Sequence, residues 1–180
     1  MRFAYADPPY IGTARRDYSA DPNCAEVNHR VLIETLMADF PDGWALSCSP
    51  PTLKEVFGYC PDGVRLMPWV KPYTPFKKGV NPSYSWEAVI VKGGRRRTLN
   101  QQTIPDFVIA CPDVVRPRRS PRFNGRKPSG FCYWLFEVLN INPDDEFVDI
   151  FPGSGNVTYH WELWRSLHAR REGCQLELIA

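Results

Sequence analysis

Two short stretches of this chain combine residues that could do chemistry with turns stiff enough to hold them in place. The first is the sequence DPPY, formed by Asp7, Pro8, Pro9 and Tyr10 after the apolar residues 3–6. Its two prolines remove two backbone donors and fix two φ angles, so they end a strand and stiffen the turn that follows. A carboxylate and an aromatic ring are thereby placed at the carboxyl end of a strand, where ligands bind in open α/β sheets. A simple turn or helix cap at Asp7 is the alternative interpretation.

The second stretch, DIFPGSG, ends a predicted buried strand and turns into a predicted helix. Its candidate ligand-binding residues are Asp149, Phe151, Gly153, Ser154 and Gly155. Glycines at such a turn let the backbone approach a ligand closely, and the helix N-terminus offers unpaired N–H groups. The spacing matches neither the dinucleotide-binding nor the P-loop glycine pattern, so it supports neither class of protein. A tight structural turn is the alternative.

Positive charge is concentrated in the middle of the chain. Residues 92–127 contain ten lysines and arginines against two aspartates, a net charge of +8 in a chain whose total is +2. A segment this basic suits a polyanion such as nucleic acid, and a solvated basic loop is the alternative. The candidate nucleic-acid contacts are Arg95, Arg96, Arg97, Arg116, Arg118 and Arg119.

Aromatic residues interleave with the basic residues of this part of the chain, as they do on many nucleic-acid surfaces. They are Tyr73, Phe76, Tyr84, Trp86 and Phe123. Some of them will belong to the core, and we expect Trp86 there.

Size and composition place the chain among globular proteins of one domain. Its 180 residues are 43% hydrophobic and 13% aromatic, enough to build a core. No apolar stretch approaches the roughly 20 residues of a membrane span, and no signal-peptide pattern is present, so we expect a cytoplasmic protein. The six cysteines are scattered without a C-x-x-C pair, and the three histidines lack metal-ligand spacing. We therefore expect reduced cysteines and no metal site.

Predicted strands and helices alternate along the chain. Apolar spacing predicts helices at residues 28–40, 131–139 and 157–171, with Ser129 as the cap of the second. A capping box from Thr52 to Glu55 predicts a further short helix. Predicted strands lie at residues 3–6, 44–48, 64–70, 86–91, 107–111, 147–151 and 175–179. This order predicts one α/β domain over residues 1–180, with helices on both faces of its sheet and a basic, strand-rich insertion at about residues 71–126.

Together these motifs resemble those of the amino-methyltransferases that use S-adenosylmethionine (SAM). The resemblance rests on DPPY at a strand end, Lys127-Pro128 before a helix, and D-x-F-x-G-S-G, in that order along the chain. An order with the catalytic loop first and the cofactor loop last is similar to the permuted branch of bacterial and phage DNA methyltransferases, and to the mRNA adenine-N6 methyltransferases. The segment PWVKP at residues 68–72 and Glu87 fall where those families carry similar segments. The resemblance implies a Rossmann-like methyltransferase sheet, mostly parallel with an antiparallel edge.

The resemblance also implies that the opening loop is catalytic. The exocyclic amine of adenine is a poor nucleophile because its lone pair is delocalised into the ring. Acceptors from the Asp7 carboxylate and the Pro8 carbonyl, held at fixed angles by Pro8 and Pro9, would favour its attack on the sulfonium methyl. Tyr10 would stack on a base that has left its helix, a contact worth about 1–3 kcal/mol.

By the same resemblance, the glycine turn belongs to the cofactor. The residues that would line the methionine and ribose parts of SAM are Asp149, Phe151, Gly153, Ser154 and Gly155, with Lys127 and Pro128 nearby. An acid at the end of the following strand often binds the ribose hydroxyls. Glu177 is our candidate for that acid, and Glu172, at a helix end, is the alternative. Asn156, where the DNA enzymes commonly have Thr, and Pro152 depart from the family pattern.

We therefore expect an enzyme that methylates adenine N6 in DNA with SAM as cofactor. The alternatives are RNA adenine-N6 methylation, DNA cytosine-N4 methylation, and a catalytically inactive nucleic-acid-binding relative. We see no separate target-recognition domain in the sequence, so the basic insertion or a partner subunit would select the target. The expected setting is the cytoplasm of a bacterium or of a phage-infected host.

Overall fold

Six strands form one sheet in the computed structural model, which describes residues 1–12, 26–73, 78–111 and 126–177. In chain order the strands are β1 (Arg2–Ala6), β2 (Gly43–Cys48), β3 (Arg65–Val70), β4 (Trp86–Gly93), β5 (Val108–Ile109) and β6 (Glu146–Asp149). The helices of these ranges are α1 (His29–Asp39), α2 (Leu53–Gly58), α3 (Ser129–Leu139) and α4 (Asn156–Glu177), and a 3₁₀ turn at Pro50–Thr52 precedes α2.

Parallel pairing brings both candidate loops to one edge of the sheet. The strand order is β5-β3-β4-β2-β1-β6, and neighbouring strands are parallel except in the two pairs that involve β4. Tyr5 of β1 pairs with Asp149 of β6, and the Ile150 N–H donates to the Tyr5 carbonyl at 2.9 Å. The chain therefore leaves β1 and β6 side by side, at what we call the carboxyl edge of the sheet.

Helices cover both faces of the sheet because successive residues of a strand point to opposite sides. Phe3 and Tyr5 of β1 pack in a core with α3 and α4, whereas Ala4 and Ala6 pack in a second core with α1 and α2. Every residue of β2 is buried, as expected for a strand covered on both faces. The expected mostly parallel α/β sheet with helices on both faces is confirmed.

The antiparallel strand β4 lies between β3 and β2. Because it runs against its neighbours, its first residues lie at the carboxyl edge, where Glu87 pairs with Trp69 near the end of β3. Trp86, which we expected in the core, is partly buried against the core formed with α1 and α2. The reversal of β4 thus delivers Glu87 to the same edge as the DPPY loop.

One predicted helix cap is in place without its capping bond, and another is wrong. Thr52 is the N-cap of α2 as predicted, but its backbone is αR and its side chain makes no capping bond, because it also ends the 3₁₀ turn and a side-chain cap needs an extended backbone. The N-cap of α3 is Pro128 rather than Ser129. The extended backbone of Pro128 offers its carbonyl to the Cys132 N–H at 3.1 Å, so Ser129 is already the first helical residue.

The predicted last strand is also wrong where the structure describes it. Residues 175–177 continue α4, which ends at Glu177, and residues 178–180 lie outside the described residues. Gln, Leu and Glu have high helix propensity, and a short apolar alternation does not by itself distinguish a strand from a helix. Glu177 therefore follows no strand, and its expected place at a strand end beside the cofactor ribose is lost.

Within the described ranges, none of the helices is long and apolar enough to cross a bilayer. The same ranges contain no group of three or more His, Cys, Asp or Glu side chains arranged to hold a metal ion. Their four cysteines, Cys48, Cys60, Cys111 and Cys132, are free thiols.

Candidate active site

The DPPY loop leaves the end of β1 and stays close to the protein. Pro8 is buried, Pro9 and Tyr10 are partly buried, and the Asp7 side chain is 23% exposed. Two adjacent prolines leave the loop little freedom. The Asp7 carboxylate is therefore held at the carboxyl edge with one side open to solvent.

Lys127 is the partner of that carboxylate. Its Nζ lies 2.6 Å from Asp7 Oδ2 and 3.5 Å from Glu87 Oε2, and its side chain is only 3% exposed. The resemblance implied that Lys127 lies near the glycine turn, and the structure brings its ammonium to the Asp7 carboxylate. A residue 120 positions away along the chain thus holds Asp7.

Glu87 joins this pair to a second lysine and to the aromatic ring. Its carboxylate pairs with the Lys71 ammonium and accepts a hydrogen bond from the Tyr10 hydroxyl. We call Asp7, Tyr10, Lys71, Glu87 and Lys127 the charge cluster. Sequence reasoning noted Glu87 and Lys71 only as parts of family-like segments. Lys71 directly follows the end of β3, and Glu87 is the second residue of β4. A charged residue at the terminus of an apolar strand was the signal that could have found them.

An indole ring supports both ammonium groups of the charge cluster. The Trp69 ring centroid lies 4.6 Å from Lys71 Nζ and 5.3 Å from Lys127 Nζ. Trp69 is itself buried, and its Nε1–H donates to the Ala110 carbonyl at 3.0 Å. A cation–π contact with a desolvated indole face stabilises a cation by about 2 kcal/mol or more. Trp69 therefore helps to fix the positions of both ammonium groups.

Burial and charge act in opposite directions on the pKa values of the charge cluster. Burial raises the pKa of Asp7 above its usual value, although the Lys127 ammonium works against it. Burial also opposes ionisation of Glu87 and Lys127, but the opposite charges around them outweigh it, so the pKa of Glu87 is lowered and that of Lys127 is raised. Burial keeps the pKa of Tyr10 well above its usual value, so its phenol stays neutral. Asp7 is thus the more basic of the two carboxylates, and a better hydrogen-bond acceptor.

The glycine turn presents a second carboxylate beside the first. Asp149 ends β6, and its Oδ2 accepts from the Thr158 hydroxyl at 3.2 Å. Its Oδ1 is buried and has no hydrogen-bond partner among the described residues, and burial raises the pKa of Asp149 to about 6. A buried, unpaired carboxylate oxygen is rare in native proteins. It fits a ligand that brings an N–H or ammonium donor.

Gly153 and Gly155 have left-handed backbones, with φ of +47° and +71°, which side-chain-bearing residues adopt only with strain. A Cβ at Gly155 would meet no atom within 4 Å, and one at Gly153 would meet only the Phe151 carbonyl oxygen, at 3.9 Å. The space beside the turn is therefore open. These glycines are required for the shape of the backbone, and Ser154 between them is exposed.

Asn156, the first residue of α4, ties the glycine turn to Lys127. Its Oδ1 accepts from Arg126 Nε at 2.7 Å, and its Nδ2 donates to the Lys127 carbonyl. A threonine has one hydroxyl and lacks this pair of separate donor and acceptor groups. The departure from the family pattern at this position therefore has a structural reason, since Asn156 holds the segment that carries Lys127.

The remaining predicted cofactor residues lie close to the same edge. Phe151 is partly buried against the core formed with α1 and α2, and Pro128 is buried at the start of α3. Glu177 is the last residue of α4, about 30 Å along the helix from Asn156 at the usual rise per residue. The predicted cofactor set is thus brought together with the exception of Glu177.

The first arginine cluster lies at the opposite edge of the sheet, which we call the amino edge. It follows Gly93, the end of β4, which pairs with Gly43 at the start of β2. Arg95 makes two bonds to the Asp145 carboxylate, at 2.6 and 2.7 Å, and Arg97 donates to backbone carbonyls of residues 102 and 137. Arg96 is exposed. The placement of Arg95 and Arg97 indicates a structural role rather than the nucleic-acid contact we expected.

The second cluster, Arg116, Arg118 and Arg119, lies outside the described residues, as do Phe76 and Phe123. Contact of these residues with nucleic acid stays a prediction.

Comparison with known proteins identifies the fold. No family model matches the chain, and no curated protein is significantly similar to it in sequence. Its structure is similar to a crystal structure of an M1.HpyAVI–SAM complex, with a TM-score of 0.55, 15% identity, and 89% of this chain and 77% of that chain covered. A structure of M1.HpyAVI matches with a TM-score of 0.55, 14% identity, and 91% and 76% covered. These similarities support the mostly parallel α/β fold that the sequence predicted.

Proposed function

We propose that this protein transfers a methyl group from SAM to an exocyclic amine of a nucleic-acid base, with adenine N6 in DNA as the target. The observation that carries the proposal is the juxtaposition of two carboxylates at the ends of neighbouring parallel strands. Asp7 stands in a stiff loop after β1, and Asp149, with its unpaired buried oxygen, stands before an open glycine turn after β6. One could orient the acceptor amine and the other the cofactor.

The residues present fit SAM as the cofactor. Asp149 Oδ1 would accept from the methionine ammonium, which supplies the donor that this buried oxygen lacks. The turn at Gly153 and Gly155 offers backbone groups and open space beside them. M1.HpyAVI, a solved structure of the same fold, is a complex with SAM. When bound, SAM would supply an electrophilic sulfonium methyl.

The charge cluster would prepare the acceptor amine. Lys127 holds Asp7 through Oδ2, and we assign Oδ1 and the Pro8 carbonyl as acceptors for the two amine hydrogens. Two acceptors held in fixed directions pull the nitrogen lone pair out of conjugation, which is preorganised electrostatic catalysis. Because burial raises the pKa of Asp7, the carboxylate is a stronger acceptor than one in water.

Tyr10 would receive the base itself. The hydrogen bond from its hydroxyl to Glu87 holds the ring at one end, and the ring would stack on a base that has left its own stack. Extrusion of a base costs a few kcal/mol, and stacking on one aromatic ring returns about 1–3 kcal/mol. The DPPY sequence, commoner among adenine enzymes of the family it resembles, favours adenine over cytosine.

The test is incubation of the protein with methyl-labelled SAM and single- and double-stranded DNA or RNA, followed by nucleoside analysis by mass spectrometry. We expect N6-methyladenine in DNA. N4-methylcytosine, or methyladenine in RNA alone, would replace the proposed target, and the absence of any methylated nucleoside would overturn the chemistry.

Asp7→Asn should bind SAM normally and lose at least about 10²-fold in turnover. Normal turnover in this variant would remove Asp7 from the mechanism.

A further inference from the structure

The β3–β4 loop, of which the structure describes residues 71–73 and 78–85, begins and ends at the charge cluster. The Lys71 N–H donates to the Ser85 carbonyl at 2.7 Å, and the Lys71 ammonium pairs with Glu87. These two contacts close the loop at its base, which we call its neck. Because β3 runs parallel to β1, the neck lies at the same edge as Asp7.

Two exposed tyrosines flank the neck. Tyr73 is 82% exposed and Tyr84 is 56% exposed, whereas Tyr10 is partly buried and Trp69 fully so. Tyr73 is two residues from Lys71, and Tyr84 is one residue from Ser85, so each Cα lies within about 7 Å of the neck. Two large rings thus face solvent within one or two nucleotide lengths of the charge cluster.

The charge of the loop selects the kind of partner. Residues 71–87 contain three lysines and one acid, Glu87, a net charge of +2. Glu87 is paired with Lys71, Lys77 lies outside the described residues, and Lys78 is exposed. Aromatic faces among cations suit single-stranded nucleic acid, in which every base offers a face for stacking and every phosphate a negative charge. A duplex keeps its base faces stacked inside and offers these rings only its backbone.

We infer that Tyr73 and Tyr84 form a stacking platform for the unpaired bases next to the target base, and that the substrate is a single-stranded nucleic acid. The inference rests on the proposed function, since the target base is the one that Tyr10 and Asp7 receive. The platform would stack on the bases that flank the target base. Because a single strand has no paired partner, the free-energy cost of extruding the target base from a duplex is not incurred.

The experiment measures the affinity of a short fluorescein-labelled single strand by anisotropy, for the wild type and for four variants. Tyr73→Ala and Tyr84→Ala should each weaken binding about tenfold, whereas Tyr73→Phe and Tyr84→Phe should stay near the wild type, because stacking needs the ring and not the hydroxyl. Leu99→Ala is the matched control, since Leu99 is fully exposed in the segment that follows β4 at the amino edge. Unchanged affinity in both alanine variants would overturn the platform.

Salt dependence and duplex competition separate stacking from simple charge attraction. The alanine variants should keep the slope of log affinity against log salt, because no phosphate contact is removed. Lys78→Ala should reduce that slope by up to about 0.7, the value for one phosphate on a single strand. A duplex of the same sequence should bind more weakly than the single strand. Tighter duplex binding would overturn the single-strand assignment, and DNA and RNA single strands compared directly identify the sugar preferred.

Methyl incorporation is measured in the same samples, so that two failures remain distinct. Incorporation by the wild type together with tyrosine-independent binding overturns the platform alone. Tyrosine-dependent binding without incorporation into any nucleic acid overturns the proposed chemistry alone.

Discussion

At the residue scale, Lys127 has the contacts that explain most about the site. It is almost fully buried and lies between the carboxylates of Asp7 and Glu87. Burial of a lone ammonium or carboxylate costs several kcal/mol in a protein interior, so these groups are tolerated only as a set. Loss of one member changes the protonation of the others.

We predict that Lys127→Met lowers the free energy of unfolding by about 3 kcal/mol at neutral pH, because two partly buried carboxylates lose their shared cation. Without Lys127, the folded pKa values of Asp7 and Glu87 rise above their unfolded values. The loss of stability should then be largest at high pH and shrink as the pH falls and the carboxylates take up protons. Urea unfolding at several pH values measures this.

The matched control for that variant is Lys71→Met. Among the described residues, Lys71 forms its ion pair with Glu87, and its side chain is 27% exposed against 3% for Lys127, so its removal should cost less and depend less on pH. Equal losses in the two variants at every pH would contradict the central position assigned to Lys127.

Asp149 predicts how cofactor affinity depends on pH. Its pKa is raised to about 6, and only the ionised carboxylate attracts the methionine ammonium. SAM affinity should therefore be level above pH 7 and about tenfold weaker at pH 5, where most of the free protein carries a protonated Asp149. Calorimetry at several pH values measures this affinity.

Asp149→Asn should bind SAM weakly at every pH and lose this pH dependence. Asp144→Asn, at an exposed position before β6, should behave as the wild type. A wild-type affinity that does not change between pH 5 and pH 8 would place the ammonium elsewhere.

At the element scale, the site exists because β1 and β6 pair in parallel and in register. The pairing of Tyr5 with Asp149 brings two loops from opposite ends of the sequence together. Asn156 then connects the start of α4 to the segment before α3. The reversed strand β4 adds Glu87 from the other side, and a close crossing of backbones at the far end of β4 holds that strand in place.

That crossing yields a prediction for Gly93. Its φ is +70°, and a Cβ there would lie 2.7 Å from the Asp42 carbonyl oxygen. Gly93→Ala should therefore add steric overlap to the usual left-handed penalty of about 1–2 kcal/mol. We expect a loss of more than about 2 kcal/mol of unfolding free energy, measured by thermal denaturation.

Gly79→Ala separates the two contributions. Gly79 has nearly the same φ, +79°, but a Cβ there would meet no atom within 4 Å. It should show the left-handed penalty alone. Equal losses in the two variants would mean that the β2–β4 crossing relaxes without cost.

At the scale of the whole molecule, the two edges of the sheet differ in what they do. The carboxyl edge carries the charge cluster, the glycine turn and the exposed tyrosines. The amino edge carries Asp145, whose carboxylate accepts hydrogen bonds from the Arg95 guanidinium, the Met1 ammonium and the Asn142 N–H. Burial opposes ionisation of Asp145, but these donors outweigh it and hold its pKa below the usual value.

We predict that Arg95→Ala destabilises the fold without changing nucleic-acid binding. The depressed pKa of Asp145 contributes stability that is present above its unfolded pKa of about 4 and is lost as the pH falls through the folded value. Arg95→Ala should remove part of that contribution, about 1–2 kcal/mol at pH 7, and should leave the salt dependence of binding unchanged. Arg96→Ala, exposed beside it, should change stability little. A reduced salt slope in Arg95→Ala would restore this cluster to the nucleic-acid surface.

The sequence by itself determined most of the local elements and the chemistry proposed for the two loops. Apolar runs and helical spacing predicted β1, β2, α1 and α3 within a residue or two. In central strands and amphipathic helices, the pattern of apolar residues along the sequence follows the pattern of burial. Proline and glycine placed the turns after β1 and β6, since these residues act on the backbone directly. The proposal of Asp7 and Asp149 as site residues came from the same local patterns.

Only the tertiary structure decided which distant residues meet. Lys127 is 120 residues from Asp7 along the chain. No local sequence pattern predicts that its ammonium donates a hydrogen bond to the Asp7 carboxylate. The arginines at residues 95–97 suggested a nucleic-acid surface because their charge can be read from the sequence. The edge of the sheet at which these arginines lie, however, depends on the direction of β4. The end of α4 was mistaken for a strand because a short apolar alternation is compatible with both structures until packing selects one.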